Sequence, residues 1–290
     1  MRGAVGGVAI VHYGEVDPTL ACLSSVLDDP SVAERRIVVV DNLGNFDEAS
    51  RPRGVEVLPR PDNPGFGAAV NLGIDALDAD RSCTLYVALN NDTKVQPGFL
   101  DAAADALEVG VGAAGGPVRD AAGSGGLWYA GGGVNFLTGT VRQQRSHKAA
   151  AKRRDVGYIP ATAMALAPAA WREVGGFDPR YFLYNEDLDL CLRLRRAGWR
   201  LLFEPRMACE HRLGGSTGSA ARSPLYLENL TRTRLLPFAS RPYRAYLALV
   251  HTVYNALRIL ALSAREGSGS PPYVAAVLRG HLAALRSALR

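Results

Sequence analysis

Short apolar runs, Val8-Ala-Ile-Val11, Ile37-Val-Val-Val40 and Leu85-Tyr-Val-Ala-Leu89, alternate with segments of helical character along the first half, and this alternation constrains the chain most strongly. Runs this short, rich in β-branched residues and without polar alternation, read as strands buried on both faces. Asp17-Pro18 supplies an N-cap and a first-turn proline for a helix to about Leu27. Val55-Glu-Val-Leu58 adds a strand, and helices are expected from Phe66 to Leu77 and from Pro97 to Leu107. Strands alternating with helices are joined by crossovers, which gives a mostly parallel, Rossmann-like α/β sheet flanked by helices. Ligands of such sheets bind beyond the carboxyl ends of the strands, where His12, Asp41 and Asp92 fall.

The second half is less regular. Gly110 to Gly133 is glycine-rich and Arg142 to Arg154 is basic, so two loops or a hairpin are expected around a strand near Leu127-Trp-Tyr129. Ala163 to Ala167 reads as a strand, Pro168 to Val174 as a helix and Gly175-Gly-Phe-Asp178 as a turn. A helix follows through Leu188, Cys191, Leu192 and Arg195, with Asn185 as its N-cap and Ala197-Gly198 as its stop. Glu186 and Asp187 then occupy its first turn, where the helix dipole favours ionised carboxylates. An ionised carboxylate beside a substrate hydroxyl is a general base. First-turn acids are also common as plain caps, so the cluster points to chemistry only together with a second polar site, Asn90-Asn91-Asp92. Asp189 lies about 200° around the helix from Asp187 and reads as structural. Arg200 to Glu204 forms another strand, and Gly214-Gly-Ser-Thr-Gly-Ser219 reads as a mobile loop suited to a lid.

From Pro224 onward three helices are expected, over 224–238, 241–262 and 272–289, with arginines interleaved among apolar residues. His251, Asn255 and Arg258 interrupt the most apolar stretch and argue against a spanning helix. Such basic amphipathic stripes serve an anionic membrane, the protein's own domain or a second subunit of a homodimer.

With 290 residues, 48% apolar and 21% charged, the chain has the composition of a folded globular protein. Its net charge of +5 favours anionic partners. Nucleic acid is disfavoured, because the basic tract Arg142 to Arg154 contains no aromatic residue for base stacking. Cys22, Cys83, Cys191 and Cys209 are widely separated, without the Cys-x-x-Cys spacing of zinc or redox sites, and read as buried reduced thiols. Val8 to Val11 is too short for a signal or membrane segment, so a cytoplasmic location is expected, with peripheral contact at the inner membrane face left open. A nicotinamide dehydrogenase needs Gly-x-Gly-x-x-Gly directly after the first strand, but His12-Tyr-Gly-Glu-Val-Asp17 stands there, and Gly65-Phe-Gly67 lacks the third glycine.

The ordered set His12-Tyr13, Val38-Val-Val-Asp-Asn42, Asn63-Pro-Gly-Phe-Gly-Ala-Ala-Val-Asn-Leu-Gly-Ile74, Leu89-Asn-Asn-Asp-Thr93, Gly175-Gly-Phe-Asp178 and Tyr184 to Trp199 resembles the inverting family 2 glycosyltransferases of GT-A fold, particularly a rhamnosyltransferase-like branch. The resemblance spans about residues 5–235. It implies a GT-A catalytic domain over 1–223, with a nucleotide-binding half to about 120 and an acceptor-binding half over about 121–223, followed by a C-terminal helical appendage over 224–290. It also implies a nucleotide-diphosphate sugar donor, with a dTDP-deoxyhexose such as rhamnose first and a UDP-sugar next, and a hydroxyl acceptor of unspecified kind. His12, Tyr13, Asp41, Asn63, Gly65, Asn71, Asn90, Asn91 and Asp92 would lie along the donor, with Asp41 at the base. Asp92 and His211 would hold Mg2+ or Mn2+. Asp187 would be the catalytic base, with Glu186 orienting the acceptor or the base.

Three positions depart from the family pattern: His12 and Gly14, where His12-Tyr13-Gly14 replaces Asn-Tyr-Asn, and Asn90, which replaces the first acid of Asp-x-Asp. A sugar-phosphate nucleotidyltransferase would share the sheet and metal but needs a glycine- and arginine-rich first loop that is missing here. A non-catalytic nucleotide-sugar-binding module is the other alternative, and the presence of both Asp92 and Asp187 argues against it.

Overall fold

The computed structural model describes residues 5–31, 34–47, 51–121, 125–212, 223–238, 240–265 and 271–289. Its first half alternates as the apolar runs dictate: β1 (Val5–His12), α1 (Val16–Leu27), β2 (Glu34–Asp41), β3 (Val55–Pro59), α2 (Phe66–Leu77), β4 (Leu85–Asn90), β5 (Thr93–Val95) and α3 (Phe99–Ala106). The middle contains β6 (Val111–Gly115), β7 (Val118–Asp120), β8 (Leu127–Tyr129), β9 (Gly132–Asn135), β10 (Thr140–Gln143), α4 (His147–Ala150) and β11 (Arg154–Asp155). Then follow β12 (Ala163–Leu166), α5 (Pro168–Val174), α6 (Glu186–Arg196), β13 (Arg200–Phe203), β14 (Cys209–His211), α7 (Pro224–Thr233), α8 (Arg241–Arg265) and α9 (Pro271–Leu289).

Eight strands pair in the order β11-β13-β6-β12-β4-β1-β2-β3. The pairs β4-β1, β1-β2, β2-β3 and β6-β13 are parallel, whereas β12 runs antiparallel to both β4 and β6. The central strands carry the core, with Val8, Ile10, Val39, Val40, Val87 and Leu89 all buried. Each such side chain contributes about 1.5–3 kcal/mol by leaving water. A smaller sheet in the order β5-β14-β7-β8 lies beyond the end of β4, and β9 with β10 forms a separate hairpin.

Packing of helix on sheet is close where side chains are small. A Cβ on Gly73 of α2 would stand 3.0 Å from the Ala9 Cβ of β1, tighter than ordinary contact. At the carboxyl end of the chain, α9 crosses α7 at Gly280, whose Cβ would meet the Glu228 carbonyl at 2.5 Å.

Several expected boundaries shift. Helix α1 begins at Val16 with Glu15 at its cap position, so Asp17 and Pro18 lie inside the first turn and do not cap it. Proline is tolerated there because the first-turn N–H groups have no helical partner anyway. Of the loops or hairpin expected around Leu127–Tyr129, the hairpin is present as β9–β10 and the strand as β8, while the basic tract holds the end of β10, α4 and the start of β11, and the Ser146 hydroxyl accepts from the Ala149 N–H to cap α4. The Gly214 to Ser219 segment, read as a lid, lies outside the described residues. All four cysteines are free and buried. Among the described residues, no helix is long and apolar enough to cross a membrane.

Candidate functional site

The sheet topology fixes where a crevice opens. From β1 the chain proceeds outward through β2 and β3, then returns to place β4 on the other side of β1. Connections therefore diverge between β1 and β4, leaving a gap at their carboxyl ends. The register aligns Val11 with Asn90 and His12 with Asp41, so three strands stop at one level. A cleft of about 1050 Å³ opens there, bounded by Tyr13, Asn63, Asp92, Trp128, Asp187 and His211 among others. That volume lies at the upper end of the range for small-molecule sites.

One wall is the polar end of β4 facing β14. Antiparallel pairing of β14 with β5 sets His211 opposite Thr93 and brings its imidazole to the Asp92 carboxylate, Nε2 to Oδ1 at 2.9 Å. The Asn90 amide nitrogen approaches the same Nε2 at 3.4 Å. Asp92 Oδ1 is buried and makes no hydrogen bond, and neither does His211 Nδ1. The close Asp92–His211 contact is thus one of distance without hydrogen-bond alignment. A buried carboxylate oxygen and an imidazole nitrogen at this separation, with no hydrogen bond aligned between them, form a pair that a divalent cation would stabilise.

The opposite wall is the start of α6. Tyr184 and Asn185 both have positive φ, 69° and 67°, values that side-chain-bearing residues adopt at a cost of about 1–3 kcal/mol. Contacts from α7 hold them: the Asn185 amide donates to Thr233 Oγ1 at 2.8 Å, and that hydroxyl donates to the Tyr184 carbonyl at 2.9 Å. Asn185 therefore stands at the cap position but does not cap α6 with its side chain, which is engaged by α7 instead. This sharp entry turns Glu186 and Asp187 into the cleft.

Glu186 is buried with Oε2 unpartnered. Burial, and then the charge of Asp187, push its carboxyl up to about 8. Burial likewise raises Asp187, opposed by a hydrogen bond from the Tyr158 hydroxyl to Oδ2 at 2.5 Å and one from the Leu188 N–H to Oδ1 at 2.7 Å. The pair accordingly shares one easily ionised site, with the hydrogen-bonded Asp187 carrying the charge first. Asp189 points away, to Arg193 at 2.7 Å and Tyr181.

Tyr158 was not singled out in the sequence. It precedes β12 in an irregular segment fastened to α6 by Cys191, whose Sγ accepts from the Ile159 N–H at 3.4 Å and donates to the Ile159 carbonyl at 3.5 Å. Its partner is 29 residues away, and no local pattern announces such a contact. Tyr226 and Arg234 also line the cleft unannounced, because α7 folds back over the mouth, beside Tyr184 of the quoted motif.

Other expected donor-side residues sort into two groups. Tyr13, Asn63, Gly65, Asn90, Asn91 and Asp92 face the cleft. Three others lie behind it. The Asp41 carboxylate accepts from the N–H groups of Leu43, Gly44 and Phe46 at 2.8–3.0 Å, organising the turn after β2. His12 is buried between Thr19 and Asn45. Asn71 clamps the 175–178 turn to α2, donating to the Phe177 carbonyl and accepting from its N–H. Asn91, though at the rim, spends its amide on the Tyr13 carbonyl and Thr19. Gly65 has a φ of 91°, and a Cβ there would stand 2.3 Å from the Phe182 carbonyl oxygen, so only glycine lets α2 start against the segment leading to Glu186.

This architecture, a mixed and mostly parallel sheet with a polar strand end facing an acidic helix start across one cleft, is that of a GT-A glycosyltransferase. Fold comparison agrees. GalNAc-T7, solved with UDP, GalNAc and Mn2+, superposes with a TM-score of 0.57 at 16% identity, covering 78% of this chain and 47% of that one. The mannosyltransferase PcManGT from Pyrobaculum calidifontis, solved with GDP-Man and Mn2+, gives 0.54 at 14% identity over 100% of this chain and 88% of that one. The sequence profile of glycosyltransferase-like family 2 matches residues 7–233, and the chain belongs to that family. It is 34% identical over 196 residues to the N-acetylglucosaminyl-diphospho-decaprenol L-rhamnosyltransferase of Mycobacterium tuberculosis, which covers 59% of this chain and 63% of the relative. Over 78 residues it is 33% identical to the rhamnosyltransferase WbbL of Escherichia coli, across 27% of this chain and 30% of that protein.

Proposed function

We propose that the chain is an inverting transferase that moves a deoxyhexose, best matched by L-rhamnose from dTDP-L-rhamnose and next by a sugar from UDP, to a hydroxyl of a glycan, a lipid-linked saccharide or a small molecule. The observation that carries the reading is the placement of Asp187, held by Tyr158, across one cleft from the Asp92–His211 pair. A nucleoside diphosphate fits the strand-end wall, with Tyr13 40% exposed and available to stack on a base. The acceptor then enters beside α6. Asp187 takes the acceptor's hydroxyl proton as that oxygen attacks the anomeric carbon. The bond from that carbon to the diphosphate oxygen breaks with its electron pair on the diphosphate, and a single displacement inverts the carbon. Glu186, protonated near neutral pH, keeps a second negative charge away from Asp187 and orients the acceptor.

The Asp92 carboxylate and His211 imidazole suit Mg2+ or Mn2+, since a buried unpartnered oxygen and a facing nitrogen lie 2.9 Å apart. When bound, such an ion supplies charge neutralisation to the diphosphate. The reading is tested by calorimetric titration of dTDP, UDP and GDP, each with and without Mg2+ or Mn2+, into wild type and Asp92→Ala. Metal-dependent binding of one nucleotide, lost in the variant, is the expected result. No binding of any nucleotide to wild type would overturn it.

A further inference from the structure

Helix α8 buries one face and exposes apolar residues on the other. Leu247, Ala248, His251 and Asn255 are buried on the side that packs against the rest of the chain. On the opposite side Tyr246, Leu249, Val253 and Leu257 are 45%, 67%, 56% and 62% exposed. At 3.6 residues per turn these four fall within an arc of roughly 80°. A helix that only packs on its own domain needs one such stripe.

The exposed stripe continues onto the β9–β10 hairpin. The Tyr243 and Tyr246 hydroxyls donate to the carbonyls of Phe136 and Leu137 at the hairpin tip. Those two side chains are themselves 52% and 73% exposed. The returning strand of the same hairpin, from Gly139 to Gln143, lines the cleft. The hairpin therefore joins the exposed stripe to the mouth of the site.

Residues 224–290 hold nine arginines and two glutamates, a net +7, so the preceding 223 residues carry −2. Next to the hairpin, Arg142, Arg145 and Lys148 are exposed. Among the described residues these three make no ion pair. A second copy of the chain would bring like charge against like charge, whereas an anionic surface neutralises it. No described helix is long and apolar enough to span a bilayer, and an amphipathic stripe of this kind suits a surface.

We propose that the outer face of α8 and the β9–β10 hairpin tip form the surface by which this protein docks on an anionic lipid bilayer, with the cleft mouth held at the lipid headgroups. The docking stands on these observations alone. Its consequence, that the acceptor hydroxyl is presented on a lipid, rests on the glycosyltransferase reading.

Flotation of the full chain with phosphatidylcholine vesicles, with and without phosphatidylglycerol, tests this. Wild type is expected to float only with phosphatidylglycerol present, and less as salt is added. The exposed-face variant Leu249→Glu/Val253→Glu/Leu257→Glu is expected to lower the bound fraction by about tenfold or more while binding nucleotide as wild type does. Arg142→Glu/Lys148→Glu should remove the dependence on anionic lipid. Wild type that stays soluble with anionic vesicles at low salt overturns the proposal, as does a triple variant that floats unchanged. A wild-type dimer in light scattering that the triple variant dissociates would make the stripe a subunit interface instead. Vesicle binding without any nucleotide binding would refute the proposed function and leave the docking intact.

Discussion

Removal of one hydroxyl, in Tyr158→Phe, separates tuning of the base from contact with substrate. The Tyr158 hydroxyl donates to Asp187 Oδ2 at 2.5 Å and stabilises the ionised form of a carboxylate that burial drives toward neutrality. A hydrogen bond to a charged group contributes about 1.5–3 kcal/mol. At 1.36 kcal/mol per pH unit, its loss raises the Asp187 pKa by roughly 1–2 units. A base works only when deprotonated, so its rate is lost as pH falls through that pKa. The acid limb of the kcat profile should therefore move about 1–2 units to higher pH in the variant, with a plateau at high pH within roughly twofold of wild type. The assay is steady-state release of nucleoside diphosphate across pH, with calorimetry confirming unchanged nucleotide affinity. A uniform fall at every pH, with the limb in its wild-type place, would refute this role for Tyr158.

Three further outcomes follow from the same geometry. Asp187→Asn should abolish transfer while leaving nucleotide affinity nearly intact, and wild-type-like transfer would remove Asp187 from the mechanism. Glu186 has a folded pKa raised to about 8 from 4.5, so the native state binds the extra proton between those values and stability falls as pH rises through that window. Glu186→Gln should flatten this dependence and stabilise the protein at pH 8 and above by on the order of a few kcal/mol, as read by denaturant unfolding. An unchanged slope would show that the carboxyl titrates normally. Gly65→Ala places a Cβ 2.3 Å from the Phe182 carbonyl oxygen at a φ of 91°. It should destabilise the fold by about 3 kcal/mol or more and misplace the start of α6, measured as a lowered Tm with weakened nucleotide binding.

Burial and periodicity act over a few residues, and what they govern was legible in the chain. The runs at Val8, Ile37 and Leu85 determined three neighbouring strands of the sheet, because continuous β-branched stretches are stable only when covered on both faces. The ordered motifs from Asn63 to Trp199 identified the family for the same reason: each is a local turn or helix start whose residues must occur in sequence. Only the tertiary structure decided which polar residues face the cleft. Asp41, His12 and Asn71 sit in the family's nucleotide motifs, yet here their side chains are engaged by the backbone of residues 43–46, by Thr19 and Asn45, and by Phe177. Tyr158 and Arg234 reach the cleft from segments that carry no motif. A side chain's partner across 29 or more residues is set by how helices and sheets pack, and nothing in its neighbours encodes that. The same holds for α8, whose apolar residues gave one helical period while packing alone decided which stripe was buried and which was left facing outward.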